Sequence, residues 1–186
     1  MQMKGGYDLL TLKNGRPEDC TGRLDKEIRV YDMLDNAGIK YQRIDHDAVY
    51  TMGECEERET LLNAKICKNL FLCNRPKTNF YLLMIPGEKK LKMKELSNQL
   101  GLPHLSFASE QYMEEFLDIT PGSVSIMGLM NDKDNKVQLL VDEDVINSEY
   151  LGCHPCINTT SLRLKTKDVF EKLMPILGHD FLTVKL

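Results

Sequence analysis

Hydrophobic residues recur with different periods along the chain, and each period predicts a different kind of element. Between Leu24 and Ala37 they recur at helical spacing, and Gly38 follows where the end of a helix favours a residue with positive φ. Two strand-like runs, 64–74 and 80–86, flank a polar turn and predict a β-hairpin. The first half of the chain is therefore expected to contain an amphipathic helix and a pair of antiparallel strands.

Further elements are predicted on both sides of this hairpin. They are an extended segment at 40–45, a helix starting at the capping-box residues 51–54, a helix at 92–101 closed by Gly101, a helix at 110–117 capped by Ser109, a hairpin of 123–130 with 137–141, a strand within 157–165, a helix capped by Thr166 and followed by Gly178, and a closing strand at 181–186. Helices and strands are interspersed without regular β-α-β alternation. We therefore predict one α+β domain, residues 21–186, with a mixed, mostly antiparallel β-sheet or barrel-like core flanked by helices. Residues 1–20 are expected to form an irregular lead-in.

Composition narrows the class of protein. The chain has 186 residues, of which 42 % are hydrophobic and 28 % charged, as is usual for one globular domain. A net charge of −4 argues against a protein that binds along nucleic acid through its overall electrostatic attraction. It does not exclude recognition of an RNA end by a few local cations. The sequence contains no apolar run of the ~20 residues that span a membrane and no secretion signal, so we expect a cytoplasmic protein.

The densest polar stretch is GCHPCINTT at 152–160, and it has three interpretations. A zinc site built on Cys153 and Cys156 would need two more ligands, but the other cysteines are scattered singly along the chain. A redox pair would need Cys153 at the start of a helix, whereas the following residues look extended. The third interpretation, two incidental thiols flanking a turn, is favoured.

Lys68 interrupts an apolar row on the predicted strand 64–74. Residues 64, 66, 68, 70 and 72 share one face of a strand because side chains alternate with a period of two. Its ammonium either extends to the edge of the sheet or lies in a pocket and meets an anion. Spacing alone leaves both possibilities open.

A Pro-Gly turn followed by small residues, TPGSVS at 120–125, could present backbone N–H groups to a ligand. Such donors stabilise a carbonyl oxygen that gains charge, although an ordinary tight turn has the same sequence. The chain lacks the nucleophile-elbow, zinc-protease and phosphate-loop motifs. His46 and His154 could each act as a general base, but a lone histidine is more often structural. A hydrolase of this kind would therefore depend on positioning, backbone donors and a water nucleophile.

Four segments in this order resemble a known family. They are DHDAVYTMGE (45–54), AKICKNLFLCN (64–74), TPGSVSIMGLMND (120–132) and GCHPCINTTSL (152–162). The chain resembles the free-standing prolyl-tRNA editing proteins, which are related to the editing insertion of bacterial prolyl-tRNA synthetases and to the YbaK-type Cys-tRNA deacylases. The resemblance implies hydrolysis of the ester in a mischarged tRNA, with Ala-tRNA(Pro) as the expected substrate. A second site that admits only small side chains removes errors that binding alone cannot prevent.

The resemblance also implies roles for individual residues. Lys68 is expected to hold the phosphate or terminal adenosine of the tRNA, and Gly122, His154 and Asn158 complete the catalytic set. The residues implied in substrate binding are His46, Thr51, Asn69, Ser123, Val124, Ser125, Ile126 and Pro155. Ile126 departs from the family's G-x-x-x-P loop, which ends in proline. In this family a hydroxyl of the terminal ribose is thought to help activate the water.

The expected partner is the aminoacylated 3′ end of tRNA, with prolyl-tRNA synthetase as a second partner to test. We expect a monomer that needs no cofactor, metal or membrane. Two alternatives remain at this point. The same fold could sense an amino acid or a charged tRNA without cleaving it, or Cys153 and Cys156 could form a zinc or redox site.

Overall fold

The computed structural model describes residues 10–48 and 52–186, with the backbone alone for residues 52–56. The strands are β1 (Leu12–Asn14), β2 (Tyr41–Asp45), β3 (Lys65–Asn74), β4 (Phe80–Pro86), β5 (Leu105–Phe107), β6 (Val137–Asp142), β7 (Tyr150–Cys153), β8 (Thr160–Lys165) and β9 (Phe181–Val184). The α-helices are α1 (Asp25–Asn36), α2 (Met52–Leu62), α3 (Met93–Gln99), α4 (Glu110–Leu117), α5 (Glu143–Ile146), α6 (Thr166–Asp168) and α7 (Met174–Leu177). A 3₁₀ helix covers Ile126–Asn131, and a π-helical turn, Val169–Leu173, joins α6 to α7.

All nine strands form one mixed sheet in the order β1-β2-β8-β7-β3-β4-β6-β9, and β5 pairs with β3 outside this path. The β3–β7, β4–β6 and β6–β9 pairs are parallel, and the others are antiparallel. β3 is the central strand. It pairs with β4 along one side, and on its other side its start pairs with β7 and its end with β5. This confirms the prediction of a single α+β domain with a mixed, mostly antiparallel sheet. Among the described strands the sheet is open, with β1 and β9 at its edges, rather than closed as a barrel.

Apolar residues are buried on both faces of the sheet. The larger cluster joins α1, α4, the 3₁₀ helix and the π-helical turn to one face, through residues such as Tyr31, Leu82 and Leu139. The smaller cluster places α3 and β5 over the opposite face through Leu96 and Leu105. Helix α2 packs against β2, β3 and β8. None of the helices described is both long and apolar enough to cross a membrane.

Most of the predicted elements are present. Helix α1 buries Val30, Tyr31 and Leu34 on one stripe, and Gly38 has a φ of 64° after it. The predicted hairpin is the antiparallel pair β3–β4. The other confirmed elements are the extended segment β2, helices α3 and α4, strands β6 and β8, the helical stretch 166–177 and the closing strand β9. Helix α2 begins at Met52, while Thr51 lies outside the described residues.

The predicted hairpin of 123–130 with 137–141 is wrong. Residues 126–131 form the 3₁₀ helix, and Ser125 caps it by accepting a hydrogen bond from the Met127 N–H. Residues 126–130 are all buried, and a run without polar residues does not distinguish a buried helix from a buried strand. A Cβ on Gly128 would lie 2.4 Å from the Ile119 Cδ1 atom and 3.1 Å from the Leu117 carbonyl oxygen, so a side chain here would force its neighbours to shift.

Three smaller predictions also need correction. Ser109 occupies the N-cap position of α4, but its side chain makes no capping hydrogen bond. Thr166 is the first residue of α6, and its hydroxyl lies 3.1 Å from the Ser148 Oγ atom instead of capping the helix. The segment 1–20 was expected to be irregular, yet Leu12–Asn14 pairs with β2 as an edge strand.

Candidate functional site

The candidate site forms where β2 and β7 end and β8 begins. His46 follows β2, and its N–H donates to the Thr159 carbonyl at 2.9 Å. His154 follows β7, one residue after its last strand position. Because β2 and β7 both pair with β8 in antiparallel fashion, their carboxyl ends meet at the same edge of the sheet. The topology thus brings together two histidines that are 108 positions apart in the sequence.

The imidazole rings of His46 and His154 lie edge to face, with centroids 6.3 Å apart and an interplanar angle of 64°. The His46 Nδ1 atom lies 2.8 Å from the Asp47 carbonyl oxygen, and the His154 Nδ1 atom lies 2.9 Å from the Thr160 carbonyl oxygen. A carbonyl only accepts, so each Nδ1 carries the hydrogen in the neutral ring. The His46 Nε2 atom then accepts from the Ser161 hydroxyl at 2.9 Å.

The Nε2 atom of His154 is the acceptor that remains available. Within the described part of the chain, it makes no hydrogen bond. Burial lowers the pKa of His154, and the nearby Arg58 charge lowers it further. The ring is therefore neutral at pH 7, and its lone pair can accept a hydrogen bond from water, a ribose hydroxyl or an amine. A nitrogen with so low a proton affinity suits positioning better than strong general-base catalysis.

Burial lowers the pKa of His46 to about 4 and outweighs the hydrogen bond to Asp47, which raises it, while Arg58 and His154 make smaller lowering contributions. We expect acidification to destabilise the protein through this residue. An unfolded histidine takes up its proton near pH 6.5. Between the two values the unfolded state binds more protons, so the free energy of unfolding decreases as the pH falls. On going from pH 7 to pH 4.5, wild type should lose about 1–2 kcal/mol more than His46→Gln, measured by urea unfolding.

The matched control for this pH effect is His104→Gln, because His104 is exposed. That variant should keep the pH dependence of the wild type. If His46→Gln also keeps it unchanged, His46 does not bury a neutral ring in the folded state.

Gly122 belongs to the turn 120–125, which approaches the histidines. Its φ is 87°, in the left-handed region that favours glycine. A Cβ at this position would lie 3.7 Å from the Asn158 Nδ2 atom, so Gly122 and Asn158 are neighbours. Among the described residues, the N–H groups of Gly122 and Val124 donate to no protein acceptor. These are the donors that a carbonyl oxygen gaining negative charge would need.

Ser125 fastens the turn to the HPCIN segment. Its hydroxyl donates to the His154 carbonyl and accepts from the Met127 N–H at 3.2 Å. The Ser123 hydroxyl donates to the Thr120 carbonyl at 2.8 Å. Both serines are buried, so in this structure their hydroxyls shape the turn. Direct contact of Ser123, Val124 or Ser125 with a substrate stays a prediction.

Pro155 and Ile126 are also buried. Ile126 belongs to the larger apolar cluster and is fully covered. Its side chain therefore faces the core, and contact of its backbone with a substrate stays a prediction. Pro155 lies between the two cysteines and shapes the loop that presents His154.

Lys68 lies close to this edge of the sheet, but its ammonium is already engaged. In the parallel pairing of β3 with β7, Ile66 is opposite Gly152, so Lys68 lies just beyond the end of β7. Its Nζ atom donates to the Lys89 carbonyl at 2.9 Å. Among the described residues, no hydrogen bond joins Lys68 to Gly122, His154 or Asn158. An ammonium has three N–H donors, so two remain for a ligand, and the anion-binding role stays a prediction.

Asn69 has an unusual environment for an amide. Its Nδ2 atom donates to the Cys67 carbonyl at 3.2 Å, whereas its Oδ1 atom is buried and has no partner among the described residues. An unpaired buried acceptor costs on the order of 1–3 kcal/mol. This cost agrees with the expected role of Asn69 in substrate binding, because a ligand donor would remove it.

A buried polar network under the site was not foreseen from the sequence. The Glu27 carboxylate is 1 % exposed and accepts from the Tyr31 hydroxyl at 2.6 Å and from Arg23. The Thr160 hydroxyl lies 3.3 Å from Glu27 and 3.2 Å from the Asp45 carboxylate. Thr160 and Asp45 are both next to a histidine of the site. The Thr160 carbonyl accepts a hydrogen bond from His154, and Asp45 immediately precedes His46 in the chain. The i, i+4 spacing of positions 23, 27 and 31 was the available signal.

Cys153 and Cys156 are fully buried free thiols. Burial raises the pKa of Cys156 to about 12 and raises the pKa of Cys153 further. A reactive redox pair needs a lowered thiol pKa, so the structure argues against the redox interpretation. Among the residues described, no three histidine, cysteine or acidic side chains are grouped to hold a metal ion.

Thr51, the remaining residue implied in substrate binding, lies outside the described residues. Of the others, the structure brings together His46, His154, Gly122, Asn158 and the 123–125 turn. It places Ile126 in the core and gives Lys68 a backbone partner.

The chain belongs to the aminoacyl-tRNA editing domain family, whose model matches residues 46–172. It is 32 % identical over 163 residues to the prolyl-tRNA editing protein ProX of Acetoanaerobium sticklandii, a match that covers 88 % of this chain and 99 % of the relative. The prolyl-tRNA synthetase associated domain-containing protein 1 of Danio rerio is 28 % identical, with 81 % of each chain covered.

A solved structure gives the same fold. It is the crystal structure of a candidate trans-editing enzyme for prolyl-tRNA synthetase, with a TM-score of 0.62, 17 % identity, and coverage of 88 % of this chain and 98 % of the other. At this identity the likeness shows the fold alone. The family assignment rests on the sequence matches.

Proposed function

We propose that the protein hydrolyses the ester of mischarged aminoacyl-tRNA and that its preferred substrate is Ala-tRNA(Pro). The observation that carries the proposal is the convergence of the Gly122 turn, Asn158 and the neutral His154 at one edge of the sheet. This arrangement supplies unpaired donors and one unpaired acceptor without a protein nucleophile. Membership of the editing family and the similarity to ProX support the substrate class.

In the proposed reaction a water molecule attacks the ester carbonyl carbon. The carbonyl oxygen gains negative charge and is stabilised by the N–H groups of Gly122 and Val124. The bond from the carbonyl carbon to the ribose oxygen then breaks, and the ribose hydroxyl leaves with the proton that the water gave up. The His154 Nε2 atom accepts a hydrogen bond from the water or from the neighbouring ribose hydroxyl and so orients it. Lys68 holds the phosphate of the terminal nucleotide.

Selectivity follows from the limits of apolar discrimination. One methylene in a pocket changes specificity by only about 10–200-fold, so a synthetase for proline cannot fully reject alanine by binding alone. A second site that accepts the smaller residue and excludes proline removes the error. The partner implied by this function is the tRNA, with prolyl-tRNA synthetase as a possible donor of the mischarged product.

A deacylation panel on one tRNA(Pro) tests this proposal. We expect alanine to be released fastest, with the prolyl ester at least tenfold slower. The measurement is the loss of radiolabelled amino acid from alanyl, cysteinyl, seryl and prolyl esters, each compared with buffer. Release of alanine at the buffer rate would refute the proposal. If cysteine were released faster than alanine, the preferred substrate would be Cys-tRNA instead.

The panel also separates an enzyme from a sensing module of the same fold. A sensor would bind the charged tRNA or its stable amide analogue and leave the ester intact. Binding of that analogue together with release of every amino acid at the buffer rate would therefore select the sensor.

A further inference from the structure

A second polar cleft lies at the opposite end of the same strands. It has a volume of about 760 Å³ and is formed by the start of β2, the end of β8, Tyr150 and the α1–β2 turn. We call it the β8 cleft. Its charged lining residues are Asp35, Lys40, Arg163, Lys165, Asp168 and Lys172. Ser161, which hydrogen-bonds to His46, and Lys165 are four positions apart on β8, or about 13 Å at the rise of a strand.

The acidic residues of the β8 cleft are already neutralised by neighbouring cations. Asp168 pairs with Lys172 at 2.8 Å. Asp35 lies 3.6 Å from Arg16 and accepts from the Tyr41 hydroxyl at 3.3 Å. These contacts leave the cations of Lys40, Arg163 and Lys165 without an acidic partner among the described residues. An uncompensated cluster is a local departure in a chain whose net charge is −4.

Arg163 is held in a fixed orientation inside this cluster. Its guanidinium carbon lies 3.7 Å from the centroid of the Tyr150 ring, and its Nη1 atom donates to the Gln42 side chain at 2.9 Å. Its Nε atom is buried and has no hydrogen-bond partner in the described part of the chain. The Nη2 atom also has no hydrogen-bond partner among the described residues but is not buried, so it can donate to a phosphate oxygen.

We propose that the β8 cleft binds the phosphate backbone of the tRNA whose 3′ end occupies the candidate site. The proposal rests on the function proposed above. A tRNA is larger than this domain, so its backbone extends beyond the site when its 3′ end is bound, and the β8 cleft lies about 13 Å away along the same strand. Phosphate contacts fix the register of a nucleic acid without reading its sequence, and lysines and arginines supply them. The β8 cleft offers three such cations in one place.

The test is Lys40→Ala/Lys165→Ala, because both lysines are exposed and their removal should leave the fold intact. We expect about tenfold weaker binding of fluorescein-labelled, uncharged tRNA(Pro) by anisotropy. The slope of log affinity against log salt should become shallower by about 1–2. For deacylation of the charged tRNA, KM should increase by a similar factor while kcat stays within twofold.

The matched control is Lys133→Ala/Lys136→Ala, which removes two exposed lysines from the turn before β6. It should leave the affinity and the salt slope unchanged. Equal tRNA affinity and equal salt slope for Lys40→Ala/Lys165→Ala and wild type would overturn the proposal. Loss of association with purified prolyl-tRNA synthetase, with tRNA binding intact, would overturn it in favour of a protein partner.

These measurements keep the two proposals apart. If wild type releases no amino acid but Lys40→Ala/Lys165→Ala still binds tRNA more weakly, the proposed function fails and the RNA contact stands. If wild type edits and the double variant edits with the same KM, the RNA contact fails and the proposed function stands.

Discussion

Gly122→Ala is expected to lower the deacylation rate by about 10²-fold while the protein remains folded, because losing one oxyanion donor has about this effect in hydrolases. There is space for the added methyl group, since its nearest neighbour is the Asn158 amide at 3.7 Å. The backbone is the obstacle, because a φ of 87° is strained for any residue with a Cβ. Relief of that strain would rotate the N–H groups of Gly122 and Val124 away from the carbonyl oxygen. Single-turnover hydrolysis of charged tRNA measures the effect.

Gly101→Ala provides the matched control for this backbone strain. Gly101 also has a positive φ, 66°, and a Cβ there would meet no atom within 4 Å. It follows α3, away from the candidate site. Both variants should lose a similar free energy of unfolding, about 1 kcal/mol, but only Gly122→Ala should lose activity. Equal activity of the two variants would show that the Gly122 turn does not stabilise the reacting carbonyl.

The sequence predicted the elements whose burial follows one clear period. Helix α1 was predicted because Val30, Tyr31 and Leu34 form a single buried stripe, and the β3–β4 hairpin because a polar turn separates two apolar runs. The segment 126–130 was misread because it contains no polar side chain and therefore shows no period. Strands β1, β5 and β7 have only three or four residues, and long-range pairing determines them.

The site was less predictable than the fold. His154, Asn158 and Gly122 were selected through the family resemblance, and the proximity of His46 to His154 depends on the pairing of β2 and β7 with β8. The acceptor that Lys68 meets is a carbonyl 21 residues further along the chain, which no strand pattern reveals. Spacing restricts what a residue can do, but the partner that decides its role comes from the tertiary fold.

The Glu27 network connects stability to the geometry of the site. The Glu27 carboxylate is almost fully buried, and Arg23 also pairs with Asp45 at 3.0 Å. Burial disfavours the charge on Asp45, but the hydrogen bond and charge of Arg23, together with Arg43 and Thr160, outweigh this and lower its pKa. Both carboxylates reach Thr160, whose carbonyl fixes the hydrogen on His154. The network therefore holds the side chain of the residue whose carbonyl sets the tautomer of His154.

Glu27→Ala is expected to reduce the free energy of unfolding by about 3 kcal/mol. Breaking a buried charge pair usually costs about 3–5 kcal/mol, because the remaining charge is left without its partner. Here Arg23 still pairs with the Asp45 carboxylate, so the loss should be near the lower end of that range. The Tyr31 hydroxyl also loses its acceptor. Urea unfolding measures the change, and an unchanged m-value would show that the denatured state is not affected.

The matched control is Asp25→Ala, in the same first turn of α1. The Asp25 side chain is 88 % exposed and pairs with Arg29, so its removal should cost less than about 1 kcal/mol. A double-mutant cycle of Glu27→Gln with Tyr31→Phe should show a coupling energy of about 1 kcal/mol, because the two side chains share one hydrogen bond. Equal losses for Glu27→Ala and Asp25→Ala would mean that the buried network adds no more stability than a surface ion pair. The orientation of His154 would then have to depend on the Ser125 contact to the HPCIN segment instead.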